Sequence, residues 1–143
     1  MPSIQFKGKS IVQTLHLTVP YRQLTPVAGK SLTSKAKPGL NDNLIVHGDN
    51  LLALKALLPS FSSKVKCIYI DPPYNTGKED EWRYNDNVNS PLHQAWLKET
   101  IGKDDLTRHD KWLCMMLPRL RLMKELLKED GVIFVQIGDE DGC

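Results

Sequence analysis

Three short stretches of the chain are apolar almost without a break, and polar groups follow each one directly. Asn43-Leu44-Ile45-Val46-His47 leads into Gly48-Asp49-Asn50. Val65 to Ile70, carrying Cys67, Ile68 and Tyr69, leads into Asp71-Pro72-Pro73-Tyr74. Val132 to Ile137 leads into Gly138-Asp139-Glu140-Asp141. Continuous apolar runs of this length suit parallel strands covered on both faces. Helical patterns lie between them. Leu51 to Leu58 reads as a helix capped by Asp49 or Asn50 and ended by Pro59. Trp112, Met116, Leu120, Met123 and Leu127 recur at three- and four-residue steps. They mark the buried face of a helix from about Asp110 to Glu129, capped by Thr107 with Asp110. Pro118 predicts a kink or restart in it, and Gly131 a stop. A strand, helix and strand over 43–70 predict parallel pairing through a right-handed crossover.

Two regions lack such patterning. Residues 1–40 hold one alternating stretch, Ile11 to Val19, which predicts a strand. Pro20, Pro26, Gly29, Pro38 and Gly39 break up the remainder, so 1–40 reads as an arm and 41–143 as the body. Residues 75–110 hold few buriable side chains. Ser90-Pro91 is a good helix start, and His93 to Ile101 is long enough for one short helix. A long insertion inside a compact domain is usually a lid, a binding loop or disordered. Lys78, Trp82, Arg83 and Tyr84 lie in it. Basic and aromatic side chains together suit nucleic acid. A surface loop with Trp82 packed on the body is the plainer reading of the same residues.

Composition narrows the class. At 143 residues the chain has one domain's length or less, with 41% hydrophobic and 25% charged residues. No apolar run approaches the roughly 20 residues that span a bilayer, and no secretory signal pattern is visible at the start. Cys67, Cys114 and Cys143 show no paired metal spacing, which fits a reduced, cytoplasmic setting. The net charge of +2 hides an asymmetry. Residues 1–40 carry six basic residues and no acid; taken from the 19 basic residues, these leave 13 against all 17 acidic ones in 41–143, a balance of −4. A basic arm ahead of a mildly acidic body suits phosphate contact, and equally suits a solvated leader.

The turn after the 65–70 strand is chemically distinctive. Pro72 and Pro73 cannot donate to a ladder, so pairing must stop there. Each also biases the residue before it to extended geometry. Asp71 and Tyr74 are therefore held on a stiff turn. If the three strands are parallel, His47-Gly48-Asp49, Asp71 to Tyr74 and Gly138 to Asp141 all line one sheet edge, where ligands of open α/β sheets bind.

Asp71-Pro72-Pro73-Tyr74 after an apolar strand resembles the catalytic tetrapeptide of amino-methylating DNA methyltransferases. With Gly48-Asp49-Asn50-Leu51, Tyr69 to Thr76, Asp110-Lys111-Trp112, Pro118-Arg119-Leu120 and Asp130 to Phe134, the chain resembles the amino-terminal part of adenine-specific DNA methyltransferases. The type is the modification subunit of type III restriction–modification systems. The resemblance covers about residues 40–140. It implies an α/β, Rossmann-like fold dependent on S-adenosylmethionine, with parallel strands and helices on both faces, present here in part. It implies a catalytic role for Asp71, Pro72, Pro73 and Tyr74, and a methyl-donor pocket beside His47, Gly48 and Asp49. Asp49 can cap its helix and serve that pocket as well. The exocyclic nitrogen of a base is a poor nucleophile, since its lone pair is delocalised. Acceptors on its two hydrogens, from Asp71 and the Pro72 carbonyl, would draw it towards tetrahedral geometry. Tyr74 would stack on the flipped base.

The implied partners are double-stranded DNA, a restriction subunit, the remaining carboxyl-terminal part of such an enzyme, and a second copy of the full-length form; no membrane is implied. The sequence departs from the family where Gly138-Asp139-Glu140-Asp141 stands in place of Asp-Asp-Asn-Glu. It also holds no Phe-x-Gly-x-Gly donor loop, so the 143 residues are expected to be a fragment that is inactive alone. The adenine target rests on the overall resemblance, not on a residue that reads the base. A remnant that only binds DNA or a partner subunit is the non-catalytic alternative. A nucleoside-triphosphatase is disfavoured, since no Gly-x-x-x-x-Gly-Lys-Ser/Thr loop is present.

Overall fold

A two-stranded parallel sheet and the helix that crosses between its strands organise the described part of the molecule. The structure is a computed structural model, and it describes residues 3–27, 29–30, 39–73, 95, 98 and 106–137. Its elements are α1 (Lys9–Val12), α2 (Leu15–Thr18), α3 (Asn50–Phe61), β1 (Val65–Ile70), α4 (Arg108–Leu126) and β2 (Leu127–Val135). β1 and β2 pair in parallel, with Cys67, Ile68, Tyr69 and Ile70 opposite Val132, Ile133, Phe134 and Val135. The register shifts between Val65 and Cys67, because Val65 already faces Leu127. Residues 128–131 stand opposite Lys66 alone. Gly131 ends that stretch where a Cβ would lie 3.0 Å from the carbonyl oxygens of both Val65 and Lys128, so any side chain there would press on backbone.

Local signals set the helix starts as expected. Asp49 Oδ1 accepts from the amides of Leu51 at 3.0 Å and Leu52 at 3.1 Å, satisfying two otherwise orphan donors. Thr107 and Asp110 form a reciprocal capping box: the Asp110 amide donates to Thr107 Oγ1, and the Thr107 amide and hydroxyl donate to Asp110 Oδ2. The bonds from Thr107, the hydroxyl's above all, hold the Asp110 carboxyl below its usual range against an opposing push from burial. The Lys7 amide adds a bond at 2.9 Å.

Tertiary packing overrides several sequence expectations. The strand expected over 11–19 is instead the two short helices α1 and α2. Val12 and Val19 are buried, and a helical period serves that burial where, among the described residues, no strand pairs with this segment. Both helices pack on α4. The strand expected at 43–47 does not form: those residues pair with neither β1 nor β2, and Ile45 stands fully in solvent. The crossover is therefore β1–α4–β2 and not 43–70. α3 runs through Pro59 to Phe61. The bond lost at the proline is one of the last turn, and Phe61 gains a place against the core. α4 likewise continues through Pro118, which is fully buried. It ends at Leu126 and passes directly into β2, so Gly131 lies inside the strand and does not stop the helix. Of the helix expected at 93–101, Ala95 and Lys98 are helical; its other residues lie outside the described ones.

The core joins α3, α4 and one face of the sheet. Leu58, Leu122 and Leu126 form its centre, with Leu51, Leu54, Leu57, Phe61, Val65 and Ile68 packed around them. Among the described residues the other face is bare. Cys67, Tyr69, Val132 and Phe134 alternate onto it, and Tyr69 and Phe134 are 64% and 58% exposed. The expected cover on both faces is thus present on one.

Candidate active site

Two turns carry the polar residues singled out by the sequence, and α4 touches both. The first is Asp71-Pro72-Pro73 at the carboxyl end of β1. Asp71 is exposed and Pro72 is buried, so the acid is presented on an anchored backbone. The Trp112 indole Nε1–H donates to the Pro73 carbonyl at 2.8 Å. That bond reaches from the first turns of α4 across 39 residues of sequence. Beyond the end of β1 the Gln136 amide still donates to the Ile70 carbonyl at 2.9 Å, and the Tyr69 hydroxyl bonds Gln136 Oε1. The last residue before the turn is therefore held from the β2 side as well.

The second turn is His47-Gly48-Asp49 with Asn50 at the start of α3. α3 runs back along β1, separated from it only by residues 62–64. Its amino end is tied to α4 through the Asn50 side chain. His47 and Gly48 are exposed and Asp49 is half-buried. Gly48 has φ +150°, and a Cβ there would meet nothing within 4 Å. Only glycine adopts that backbone without strain, and the open space lets a ligand come close. A carboxylate and exposed backbone beside such a glycine suit a ligand that presents hydroxyl and ammonium groups.

Arg119 fixes this second turn to α4. It is only 6% exposed. Its Nε donates to Asn50 Oδ1 at 2.7 Å and its Nη1 to the Met115 carbonyl at 2.7 Å. Burial pulls the guanidinium's pKa down, and the nearby charge of Asp49 pushes it back up. A buried cation is tolerated only when paired and hydrogen-bonded, and here Asn50, Met115 and Asp49 share that task.

The described residues thus tie the Asp71-Pro72-Pro73 turn and the turn of Gly48, Asp49 and Asn50 to the same helix, α4. The third expected group, Gly138 to Asp141, lies outside the described residues, as do Tyr74, Lys78, Trp82, Arg83 and Tyr84. The first group leads a helix and does not end a strand. Trp112 and Arg119 are the site residues that reading the sequence assigned elsewhere: Trp112 to a core stripe, Arg119 to no role. A signal was present. An indole N–H and a guanidinium on an inward helix face must each find a partner.

Among the described residues no three His, Cys, Asp or Glu side chains are placed to hold a metal ion, and no helix is long and apolar enough to cross a membrane. A parallel β–α–β unit with an acid on a proline turn at a strand's carboxyl end defines an α/β protein. Comparison with known proteins narrows that class. The family model for DNA methylase matches residues 65–142, and the chain belongs to that family. The type III restriction-modification enzyme EcoPI Mod subunit of Escherichia phage P1 is 37% identical over 150 aligned positions, which cover 97% of this chain and 23% of that protein. The EcoP15I Mod subunit of Escherichia coli is 35% identical over 146 positions, covering 94% and 22%. The probable HindVI Mod subunit of Haemophilus influenzae is 46% identical over 98 positions, covering 68% and 10%. The chain spans less than a quarter of the length of these relatives. The resemblance drawn from the motifs to modification subunits holds.

Proposed function

We propose that these residues form the methyl-transfer centre of a site-specific DNA adenine-N6 methyltransferase of a restriction–modification system. The single observation that carries this is the Asp71-Pro72-Pro73 turn, anchored at the end of a parallel strand inside a matched DNA methylase region. S-adenosylmethionine, when bound, supplies an electrophilic methyl group. The chain's own residues do the remainder. The Asp71 carboxylate accepts one amino hydrogen of the flipped adenine and the Pro72 carbonyl the other, so the nitrogen lone pair is less delocalised and points at the donor. The Pro73 carbonyl is engaged by Trp112, which assigns it to holding the turn. Tyr74 stacks on the base. Gly48 and Asp49, with His47 beside them, receive the donor, and Lys78, Trp82, Arg83 and Tyr84 meet the DNA.

In this reading residues 41–143 are the first part of a Rossmann-like catalytic domain, 75–110 its lid, and 1–40 a basic segment ahead of it. The full activity belongs to a polypeptide that also carries a glycine-rich donor loop and a target-recognition region, acts in the cytoplasm, and pairs with a restriction subunit and a second copy of itself. The test is methyl incorporation from labelled donor into mixed-sequence DNA by such a polypeptide. Asp71→Ala abolishes most incorporation. Tyr74→Trp retains more than Tyr74→Ala, since base–aromatic stacking is worth roughly 1–3 kcal/mol. Undiminished transfer by Asp71→Ala would reject the proposal.

A further inference from the structure

Trp112 and Arg119 stand seven residues apart on one unbroken helix. Seven residues are almost two full turns, so the two side chains share a face about 10 Å apart along the axis. Each grips a different turn of the site: Trp112 the Pro73 carbonyl, Arg119 the Asn50 side chain next to Asp49. We infer that α4 is the spacer of the site, with Trp112 and Arg119 as positioning residues that set the catalytic turn against the donor-side turn. The inference deepens the methyltransferase reading and rests on it for the roles of the two turns.

The helix is built to act as a fixed reference. Its first turn is closed by the Thr107–Asp110 box. The segment before α1 is stapled to it twice: the Lys7 amide donates to Asp110 Oδ1 at 2.9 Å, and the Cys114 thiol donates to the Lys7 carbonyl at 3.4 Å. Leu122 and Leu126 bury its far end against α3 and β1. Pro118 sits between the two grips, fully buried, where close packing resists displacement. The two grips also differ in kind. The indole offers one neutral donor to a backbone carbonyl. The guanidinium is buried and lies within reach of the Asp49 charge, so its bonds are charge-assisted and stronger. Transfer depends on the reacting atoms being held in a near-attack arrangement, and misplacement by about 1 Å can cost a hundredfold.

Two measurements test this. In the 143-residue chain, hydrogen exchange is followed at the amides of 68–71 and of 49–52. Trp112→Phe removes the donor and keeps a ring. It should speed exchange at 68–71 about tenfold, the worth of roughly one hydrogen bond, and leave 49–52 unchanged. Asn50→Ala removes Arg119's acceptor at an exposed position and should do the reverse. Arg119→Gln is the harsher variant of the second grip. In a donor-loop-containing polypeptide, Trp112→Phe should lower kcat roughly ten- to a hundredfold with the donor KM unchanged, and Asn50→Ala should raise the donor KM with a smaller change in kcat. Trp112→His, which restores a ring N–H, should recover part of kcat. Equal acceleration of exchange at both turns by either variant would mean that the helix only stabilises the fold, and would overturn the inference. So would unchanged exchange and unchanged kinetics. Asp71→Ala in the same assay separates the failures: if it stays active, the methyltransferase reading falls, whereas a dead Asp71→Ala beside a fully active Trp112→Phe refutes the spacer alone.

Discussion

The two faces of the β1–β2 sheet are made of similar residues and treated in opposite ways. On one face Ile68 meets Leu58, Leu122 and Leu126. On the other, Cys67, Tyr69, Val132 and Phe134 form an apolar strip exposed to water. Hydrophobicity along a strand thus tells that both faces can be buried, not that both are. The covered face owes its cover to the chain's nearest neighbours: α3 leads into β1 and α4 into β2, each through three residues or fewer. No described element of comparable length stands next to the open face.

Substitutions on the two faces should separate this contrast by size of effect. Leu122 is fully buried at the centre of the covered face. Leu122→Ala should cost about 2–5 kcal/mol, read as a lower denaturant midpoint with an unchanged slope. An effect below about 1 kcal/mol would mean that the core can collapse onto the gap. The two described cysteines report the next contrast. Cys67 is exposed on the open face and Cys114 is buried under the Lys7 carbonyl. Burial, with a smaller push from the Asp110 charge, drives the Cys114 thiol up to about 11. Its reactive thiolate is therefore scarce below that pH and grows only as pH approaches it. At pH 8 a thiol reagent should label Cys67 at least about a hundredfold faster than Cys114, as mass spectrometry of the peptides would show. Comparable rates would mean that α4 does not hold the Lys7 segment in place. The smallest effect belongs to the open face itself. Phe134→Ser should change stability by no more than about 0.5 kcal/mol and reduce self-association measured by light scattering. A loss as large as that of Leu122→Ala would show the open face to be packed in solution.

Legibility in the sequence followed how local each cause was. The caps at Asp49 and Thr107–Asp110 were legible because a short polar side chain satisfies amides within three residues of itself. The parallel pairing of 65–70 with the segment around 132–137 was legible from two apolar runs separated by a helix. The same logic failed at 43–47. A strand exists only through its ladder partner, and nothing in Asn43–His47 tells whether one is available. It failed at 11–19 because Leu15, Leu17 and Val19 alternate while Val12, Leu15 and Val19 follow a helical period. The helix end expected at Pro59 and the restart expected as one outcome at Pro118 do not occur, since a proline's cost is local while the burial of Phe61 and Pro118 is not. Asp71 and Gly48 stand out in the sequence as candidate site residues. The tie from Trp112 to Pro73 does not, because it spans 39 residues and joins an indole to a backbone carbonyl that any residue could supply.

That tie bears on how much the intervening stretch can change. Pro73 and Trp112 bracket the residues between β1 and the body of α4, and their hydrogen bond closes that stretch at its base. The entropy of closing a loop grows only with the logarithm of its length, about 0.6 kcal/mol for each doubling. Residues can therefore be added to or removed from the bracketed stretch at little thermodynamic cost, while the base keeps Asp71 where β1 puts it. A protein built this way can exchange the segment that follows the Asp71-Pro72-Pro73 turn without rebuilding the turn.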